Sequence, residues 1–338
     1  MKYTVHKNLN KLRHKISPTL LEAVIAFVTA VVSTAPSNAQ QREESMIENG
    51  GRFDNWVTRE IKESAIIGGN TKYIYSVGPE GTFKGRVAYT PPAGWVWGCS
   101  NVLAIVQGVV KTSCSVFPEK RGSGYCARLE TRMEDVKVAG LLNMHVIASG
   151  TIFLGHMLEP IRNTRNPQSK WTCGIPFTGR PKGISFDYKV TVGNNRIKST
   201  GFSSIKIIGD NDYADCTVLL QKRWEDKDGN IYALRVGTGY ERFTKSQSEW
   251  QNGHIVEILY GDITERSFYK SYMGLISKEL SNYSINSKGE SVPIVEIGWA
   301  QAGEKPTHII IKFSSSYGEA YVGDTNDRLW VDNVKILE

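Results

Sequence analysis

The sequence has few of the residues and motifs by which enzyme active sites are usually recognised. Histidine occurs six times in 338 residues, without the spacing of a metal site. The chain contains no G-x-S-x-G motif, no H-E-x-x-H motif and no nucleotide-binding glycine motif, and it lacks the strand–helix alternation of a doubly wound fold. These absences argue against the common serine hydrolases, zinc peptidases and dinucleotide-dependent enzymes.

Residues 1–39 are typical of a secretory signal peptide. MKYTVHKNLNKLRHKIS is basic, LLEAVIAFVTAVV is a short apolar run, and Ser-Asn-Ala precedes Gln40 in the pattern that signal peptidase cleaves. The apolar run is short for a membrane span, although an uncleaved anchor is the alternative. We therefore predict an exported protein of the periplasm or cell surface, with no membrane span in the mature chain.

Cysteine is scarce, and its pattern does not indicate a metal cluster. The chain has no C-x-x-C pair. All the cysteines follow residue 39, so an oxidising compartment would permit disulfides. Their number is odd and their spacing does not fix partners, so the pairing stays open. The five residues are Cys99, Cys114, Cys126, Cys173 and Cys216.

An excess of basic charge is also missing once the signal peptide is set aside. The whole chain has 41 Lys and Arg against 34 Asp and Glu. Five of those basic residues and one of the acids lie in residues 1–39, which leaves 36 against 33. Because no basic stripe or base-reading motif remains, the composition predicts no nucleic-acid partner.

Short alternating segments fill the chain after a polar lead-in at residues 40–50. Many short strands joined by polar loops predict an all-β fold, specifically a jelly-roll β-sandwich of two antiparallel sheets over residues 51–338. In such a fold the first and last strands commonly lie side by side. The clearest strand segments are YCARLETR, SFDYKVTV, DCTVLLQKRW, IYALRVG, HIVEILYG, PIVEIGWA, THIIIKFSSS and RLWVDNVKI.

Two segments depart from this strand pattern. LISKELSNYS, at residues 275–284, is the one stretch compatible with a short helix. DKDGN, at residues 226–230, has the acids of a calcium loop, but it lacks the later glutamate and the flanking helices. We expect DKDGN to form a hairpin turn.

Asp332 raises a question about the last segment, DRLWVDNVKI. In a regular strand it lies on the same face as Trp330, Val334 and Ile336. A carboxylate on an apolar face is costly to desolvate unless a partner satisfies it. Two answers are open: the carboxylate binds a calcium ion, or Asp332 and Asn333 form a β-bulge in which it accepts backbone N–H bonds.

Six motifs, found in one order along the chain, carry a family resemblance. They are FDNW at 53–56, GWVWGCSNVLAIVQG at 94–108, GYCARLETR at 124–132, GIPFTGRPKGISFDYKV at 174–190, FSSSYGEAYVG at 313–323 and RLWVDNVKI at 328–336. The set resembles the putative carbohydrate metabolism domain family, exported β-sandwich proteins best known from Bacteroidetes. The resemblance implies a jelly roll similar to carbohydrate-binding modules, with a role in glycan handling.

The two ends of the mature chain also resemble carbohydrate-binding jelly rolls. Those modules open in a pattern like NGGRFDNW (49–56) and close in one like LWVDNVKI. In those modules an acidic residue of the first segment and an aspartate of the last segment often help to hold a structural calcium ion. The resemblance therefore implies a calcium site at Asp54 and Asp332, and no other cofactor.

A glycan site needs exposed aromatic side chains with polar groups beside them. The loop YTPPAGWVWG offers Tyr89, Trp95 and Trp97, and Trp171 and Arg180 are further candidates. Trp95 and Trp97 are two residues apart, so an extended backbone puts both on one face, where either can instead belong to the core.

The segment CARLETR places charged side chains on one strand face. Arg128 and Glu130 there can hydrogen-bond sugar hydroxyls, or they can form ordinary ion pairs across strands. Glycoside hydrolysis would need two carboxylates roughly 5 to 10 Å apart. The candidates are Glu130 and Asp187, with Glu296. The signal is weak, because any large sheet offers such pairs of carboxylates.

We therefore predict a carbohydrate partner, either a glycan or a polysaccharide, and a non-catalytic binding role outside the cytoplasm. One alternative is a glycoside hydrolase or a related carbohydrate-active enzyme. A second is a structural or adhesive surface subunit whose β-sandwich presents loops to a protein partner.

Overall fold

Strands dominate the structure, as the alternating segments predict. The computed structural model describes residues 38–138, 142–162, 166–201, 204–277, 280 and 282–338. The predicted signal peptide, except for its last two residues, lies outside these ranges. Gln40–Glu338 form one unit. None of the helices in the described ranges has the length and hydropathy that a membrane crossing requires.

In the described ranges, one α-helix and three short 3-10 helices accompany the strands. The α-helix is α1 (Asn38–Gly51), and the 3-10 helices are Ala65–Ile67, Pro167–Lys170 and Ser271–Met273. The strands are β1 (Trp56–Lys62), β2 (Thr71–Val77), β3 (Gly81–Lys84), β4 (Trp97–Cys99), β5 (Val102–Val106), β6 (Val109–Ser113), β7 (Val116–Arg121), β8 (Gly124–Glu130), β9 (Arg132–Val138), β10 (Leu142–Ala148), β11 (Thr151–Met157), β12 (Trp171–Cys173), β13 (Ile175–Pro176), β14 (Gly183–Thr191), β15 (Ile197–Lys198), β16 (Lys206–Ile207), β17 (Ala214–Glu225), β18 (Ile231–Phe243), β19 (Gln247–Glu257), β20 (Leu259–Tyr260), β21 (Tyr283–Ile285), β22 (Ser291–Trp299), β23 (His308–Ser314), β24 (Val322–Gly323) and β25 (Arg328–Leu337).

The clearest strand predictions are confirmed. Each of the eight segments named above contains a strand, from β8 in YCARLETR to β25 in RLWVDNVKI. DKDGN is the turn between β17 and β18, where the Asp226 carboxylate accepts hydrogen bonds from the backbone of Asp228 and Asn230, each at 2.9 Å. An Asp that bonds to the backbone two residues ahead is a common way to close a tight turn.

Two sheets contain most of the strands. The five-stranded sheet, in the order β19-β14-β25-β8-β7, is antiparallel throughout. The ten-stranded sheet has the order β13-β23-β17-β18-β22-β21-β12-β11-β4, with β20 beside β18, and it includes the parallel pairs β18–β22 and β12–β21. The expectation of two purely antiparallel sheets is therefore wrong.

The main core joins these two sheets. It combines Leu129, Phe186 and Val331 of the five-stranded sheet with Val218 and Phe313 of the ten-stranded sheet. Phe186 and Phe313 meet edge to face, with ring centroids 4.8 Å apart. A smaller apolar cluster lies on the opposite side of the ten-stranded sheet, where Phe153, Cys173, Leu219 and Ile310 come from four of its strands.

The first and last strands do not pair, contrary to expectation. Strand β1 pairs with β2 and β3 in a separate three-stranded sheet, whereas β25 pairs with β14 and β8. The chain ends meet instead through helix α1. The Glu48 carboxylate on α1 accepts a hydrogen bond from the backbone N–H of Ile336 on β25, at 3.2 Å.

Helix α1 was not predicted, because residues 40–50 look like a polar lead-in. The segment contains two Gln, three Glu and one Arg, all good helix formers. Among its described residues it buries only Ile47, Gly50 and Gly51, so it lacks the apolar stripe that marks an amphipathic helix. Residues 278, 279 and 281 of the segment compatible with a short helix, at 275–284, lie outside the described ranges, and β21 begins at Tyr283.

Trp97 fixes α1 to the core. Its indole N–H donates to the carbonyl of Ile47 at 2.8 Å, and its ring meets Phe53 edge to face at 5.3 Å. A Cβ at Gly50 would lie 2.6 Å from the Trp97 ring, so the close approach of the helix requires glycine there. Trp97 is only 1% exposed. Its predicted role as a sugar platform is therefore wrong, because no ligand can reach the ring.

We expect Trp97→Ala to lower the free energy of unfolding by about 3–5 kcal/mol, since it removes a fully buried aromatic side chain and a buried hydrogen bond. Chemical denaturation followed by circular dichroism measures this loss. Trp224→Ala is the matched control, because Trp224 is 41% exposed and should cost far less. Equal losses for the two variants would contradict the anchoring role of Trp97.

Candidate functional site

A cleft runs along the face of the ten-stranded sheet that points away from the main core. It consists of two adjoining cavities of about 300 and 540 Å³. Both cavities are lined by Gln168, Trp171, Asp215, Lys312 and Gly318, so these residues mark where the two meet. Clefts of this size, with polar groups converging on one region, are the usual form of a ligand site.

Strand register brings the polar groups of the floor together. Asp215 on β17 lies opposite Arg242 on β18, and Thr217 lies opposite Tyr240. On the other side of β17, Thr217 lies opposite Lys312 on β23. Directly opposed residues share one face of a sheet. The floor of the cleft is therefore a patch of charged, hydroxyl and aromatic side chains.

Asp215 is the carboxylate of this floor, and it is only 5% exposed. The Tyr240 hydroxyl donates to its Oδ2 at 2.6 Å, while its buried Oδ1 has no hydrogen-bond partner among the described residues. Burial raises the pKa of Asp215, and the lowering influence of Lys312, the Tyr240 hydrogen bond and Arg242 does not outweigh it. Asp215 therefore holds its proton to a higher pH than an exposed aspartate.

Arg242 is held by tyrosine rings. Its guanidinium lies 4.0 Å from the ring centroid of Tyr272 and 3.9 Å from that of Tyr317. Arg196 braces Tyr317 in turn, since it donates to the tyrosine hydroxyl at 2.9 Å and to its carbonyl at 2.8 Å. Cation–π contacts on a guanidinium restrict its orientation without using its N–H donors. Arg242 is thus positioned while most of its donors stay uncommitted.

Trp171 forms part of the wall where the two cavities meet. Its ring stacks on Phe153, with centroids 5.3 Å apart and planes 12° apart, so the side chain is half-buried and fixed in orientation. Beyond Trp171 the larger cavity becomes apolar, with Val146, Met157 and Ile161 in its lining. The cleft therefore offers an aromatic surface between a charged end and an apolar end.

Comparison with known proteins identifies the family. The family model of the putative carbohydrate metabolism domain matches residues 86–337. The chain belongs to this family. Among curated proteins, none matches it. Among solved structures, it is similar to a protein described as a putative glycoside hydrolase from Bacteroides thetaiotaomicron, with 17% identity and a TM-score of 0.45 over 80% of this chain and 68% of that one.

Of the side chains predicted to bind ligand in this carbohydrate metabolism domain, Trp171 lies in the cleft and the others lie elsewhere. Trp95 packs against the main core beside the buried Trp97. The ring of Tyr89 lies 6.2 Å from that of Phe83, and its hydroxyl is buried. The YTPPAGWVWG loop therefore does not form an aromatic platform facing the cleft.

The predicted Arg180 and Arg128 are engaged by the protein itself. The Arg180 guanidinium donates to the carbonyls of Glu304 and Ala302 and lies over the Tyr260 ring at 4.0 Å, so it holds a loop in place. Arg128 pairs with Glu119 at 2.9 Å on the outer face of the five-stranded sheet. Neither guanidinium faces the cleft.

The predicted catalytic carboxylates are ion-paired as well. Glu130 lies 3.2 Å from Arg128 and from Arg132 in its own segment, and 3.4 Å from Arg328 across strands on β25, which is the ion-pair alternative. Burial alone would raise the pKa of Asp187, but hydrogen bonds from Asn333, Gly253 and Arg121 hold it below its usual value. Glu296 is buried against Arg235. Burial alone would raise the pKa of Glu296, but the Arg235 guanidinium outweighs burial and holds this pKa below its usual value. A carboxylate with a lowered pKa is a poor proton donor, so Asp187 and Glu296 do not suit the role of general acid.

A β-bulge answers the question of what Asp332 faces. Asn333 has a φ of +52°, and the register with β14 shifts at this point. Leu329 and Val331 point into the core before the bulge, and Val334 and Ile336 do so after it. The assumption that Asp332 shares a face with Val334 and Ile336 is therefore wrong, because the bulge reverses the alternation.

Asp332 faces the guanidinium of Arg121, at 2.6 Å, on the outer side of the five-stranded sheet. Its Oδ1 also accepts the backbone N–H of Asn333 at 2.8 Å. The other predicted ligand, Asp54, accepts the backbone N–H of Tyr125 at 3.2 Å. In the described ranges no group of three or more acidic, histidine or cysteine side chains is arranged to hold a metal. This arrangement fits the bulge alternative and does not fit a calcium ligand set.

Because a guanidinium already neutralises Asp332, we expect EDTA to leave the melting temperature of the purified protein unchanged. Differential scanning fluorimetry with EDTA, and again with added calcium chloride, tests this. A lower melting temperature in EDTA that calcium restores would show that an ion is bound after all.

The cysteines are all free, and four of the five are buried. Burial raises the pKa of Cys99 and Cys126 to about 12. Thiols of this kind are poor nucleophiles at neutral pH. They act as small apolar side chains of the core.

The polar residues of the cleft floor were not found from the sequence. They are Asp215, Tyr240, Arg242 and Lys312. Each lies within a segment that was read as a strand or next to one, but their proximity depends on which strands pair. One signal was present: Lys312 interrupts the apolar run of THIIIKFSSS. A charge in such a run indicates that one strand face is not part of the core.

We expect Asp215→Asn to change how stability depends on pH. In the native protein the folded state binds the Asp215 proton more tightly than the unfolded state does, so this proton stabilises the fold at low pH and the benefit is lost as pH rises through the folded pKa. We therefore expect the difference in the free energy of unfolding, Asp215→Asn minus wild type, to become more positive as the pH rises from 4 to 8.

Urea denaturation at several pH values measures this difference. Tyr240→Phe is the companion variant: it removes a hydrogen bond that lowers the Asp215 pKa, so its stability should fall more steeply with pH than that of wild type. Parallel pH curves for wild type and Asp215→Asn would contradict the raised pKa.

Proposed function

We propose that this chain is an exported carbohydrate-binding protein of jelly-roll type and that its saccharide site is the cleft around Trp171, Asp215 and Lys312. The observation that carries the proposal is the position of Trp171. It presents a fixed aromatic ring where two cavities meet, beside charged and hydroxyl groups. Sugar rings combine apolar C–H faces with hydroxyl rims, so this pairing suits them. Membership of a carbohydrate metabolism family supports the same ligand class.

Hydrolysis is the second candidate, and Asp215 is the observation in its favour. A buried carboxyl whose pKa is raised holds its proton to higher pH than an exposed one, which is the property of a general acid. A glycoside hydrolase also needs a second carboxylate. The other acids in the lining of the larger cavity are neutralised, since Glu134 lies 3.6 Å from Lys111 and Glu319 lies 3.0 Å from Lys198. We therefore favour binding without turnover.

We expect Trp171→Ala to weaken saccharide binding about 10-fold or more, which corresponds to ~1.4 kcal/mol of lost contact. A panel of oligosaccharides from plant, host and microbial polysaccharides, measured by glycan array and then by calorimetry, would provide the ligand. Trp171→Phe keeps an aromatic ring and should lose less affinity.

The control for that experiment is Trp224→Ala, because Trp224 does not line either cavity. Thermal melting of each variant checks that the fold is retained. Unchanged binding by Trp171→Ala, or no binding of any panel member by the wild-type protein at millimolar concentration, would overturn the proposal. Release of reducing sugar that Asp215→Asn abolishes would favour the hydrolase instead.

A further inference from the structure

The charges that line the cleft divide into paired and unpaired ones. The paired ones include the buried Arg235, which bonds to Glu296, and Lys111, which lies 3.3 Å from Glu63. Two cations remain, Lys312 and Arg242. No carboxylate of the described residues lies within ion-pair distance of either one. The cleft therefore carries positive charge that the protein does not neutralise with a contacting acid.

Lys312 is the first of these cations. It lies in the middle of β23, opposite Thr217 on one side and Phe153 on the other, and it is half-buried. Its side chain lines both cavities. Its neighbours across the strands carry a hydroxyl and an aromatic ring, and no acidic side chain of the described residues contacts it. Such an ammonium group in a cleft attracts an anionic ligand group.

Arg242 is the second cation, and most of its donors have no hydrogen-bond partner among the described residues. Within the described residues its hydrogen bonding is limited to one long contact of 3.4 Å with the Tyr240 hydroxyl, and its buried Nε has no partner. The rings of Tyr272 and Tyr317 fix the plane of the guanidinium. A planar, oriented guanidinium matches the two oxygens of a carboxylate or the oxygens of a sulfate.

Among the described residues of the cleft floor, Asp215 is the acid that could offset these two charges. It lies opposite Arg242 in the strand register, but its carboxyl contacts Tyr240 and forms no ion pair with either cation. Burial also favours its neutral form. The net charge of the floor is therefore positive whether or not Asp215 is ionised.

We propose that the cleft selects acidic saccharides, whose carboxylate or sulfate group is bound by Lys312 and Arg242. This inference rests on the proposed saccharide site at Trp171 and adds the class of ligand. Trp171, Lys312 and Arg242 line the same cavity, and the two cations lie on the strands that flank β17 on one sheet face. In the proposed complex Trp171 contacts a sugar ring and the cations receive its acidic group. A neutral sugar would displace water from the two cations without offering them an anionic partner, so we expect it to bind more weakly.

The test compares matched ligands that differ only in charge. Oligogalacturonate, oligoglucuronate and oligomannuronate are each measured against their carboxyl-reduced counterparts, and a chondroitin sulfate oligosaccharide provides the sulfate. We expect at least one acidic member to bind about 10-fold or more tightly than its neutral counterpart, with an affinity that falls as salt rises.

Variants then assign the charge to the cleft. Lys312→Gln should weaken binding of the acidic ligand about 10-fold and leave the affinity for its neutral counterpart unchanged. Lys335→Gln is the control, because it removes the same charge at an exposed position outside the cleft. Arg242→Lys keeps the charge but not the planar fork, and should also weaken binding; its melting temperature reports whether the fold is intact.

The outcomes separate the two proposals. Equal affinity for acidic and neutral counterparts, with binding that still requires Trp171, would overturn the acidic preference and leave the saccharide site standing. Equal losses from Lys312→Gln and Lys335→Gln would also overturn it, since the effect would then come from overall charge. Binding of the sulfated ligand alone would support the inference and identify the anionic group as sulfate. Absence of binding to every ligand would overturn both proposals.

Discussion

The pairing of β17 with β18 and β23 is the constraint on which the rest of the site depends. Because side chains alternate along a strand, β17 sends Cys216, Val218 and Leu220 into the main core and sends Asp215 and Thr217 to the opposite face. A register slip of one residue would exchange the two sets. The same burial that stabilises the sheet therefore fixes which polar groups meet in the cleft.

Two carboxylates, one on each main sheet, differ in how the protein solvates them. Asp187, on the outer face of the five-stranded sheet, accepts hydrogen bonds from Arg121, Asn333 and Gly253, and these hold its pKa low. Asp215 has one hydrogen bond from Tyr240, and burial keeps its pKa high. The first carboxylate is part of a neutralised surface network, and the second is a poorly solvated group at the bottom of a cleft.

Much of the fold was predictable from the sequence, because alternation and turn residues are local signals. The strands from β8 to β25 that show clear alternation were found, and so was the hairpin turn at residues 226–230. Helix α1 was missed because it buries almost no apolar side chain of its own and depends on Trp97 across the core. The phase of β25 was misjudged because a bulge inserts one extra residue, and only the partner strand shows where.

The site was less predictable for a related reason: a sequence shows which residues are charged, but not whether a neighbouring strand neutralises them. Arg128 and Glu130 looked like binding groups, yet they are partners of one another at 3.2 Å. Lys312 was not singled out from the sequence, and its position opposite Thr217 and Phe153 leaves it without an acid in contact. A charge that the protein does not neutralise costs solvation energy when it is partly buried. Such a cost is retained in a fold when a ligand supplies the missing partner, and this reasoning is why we propose an anionic ligand for the cleft.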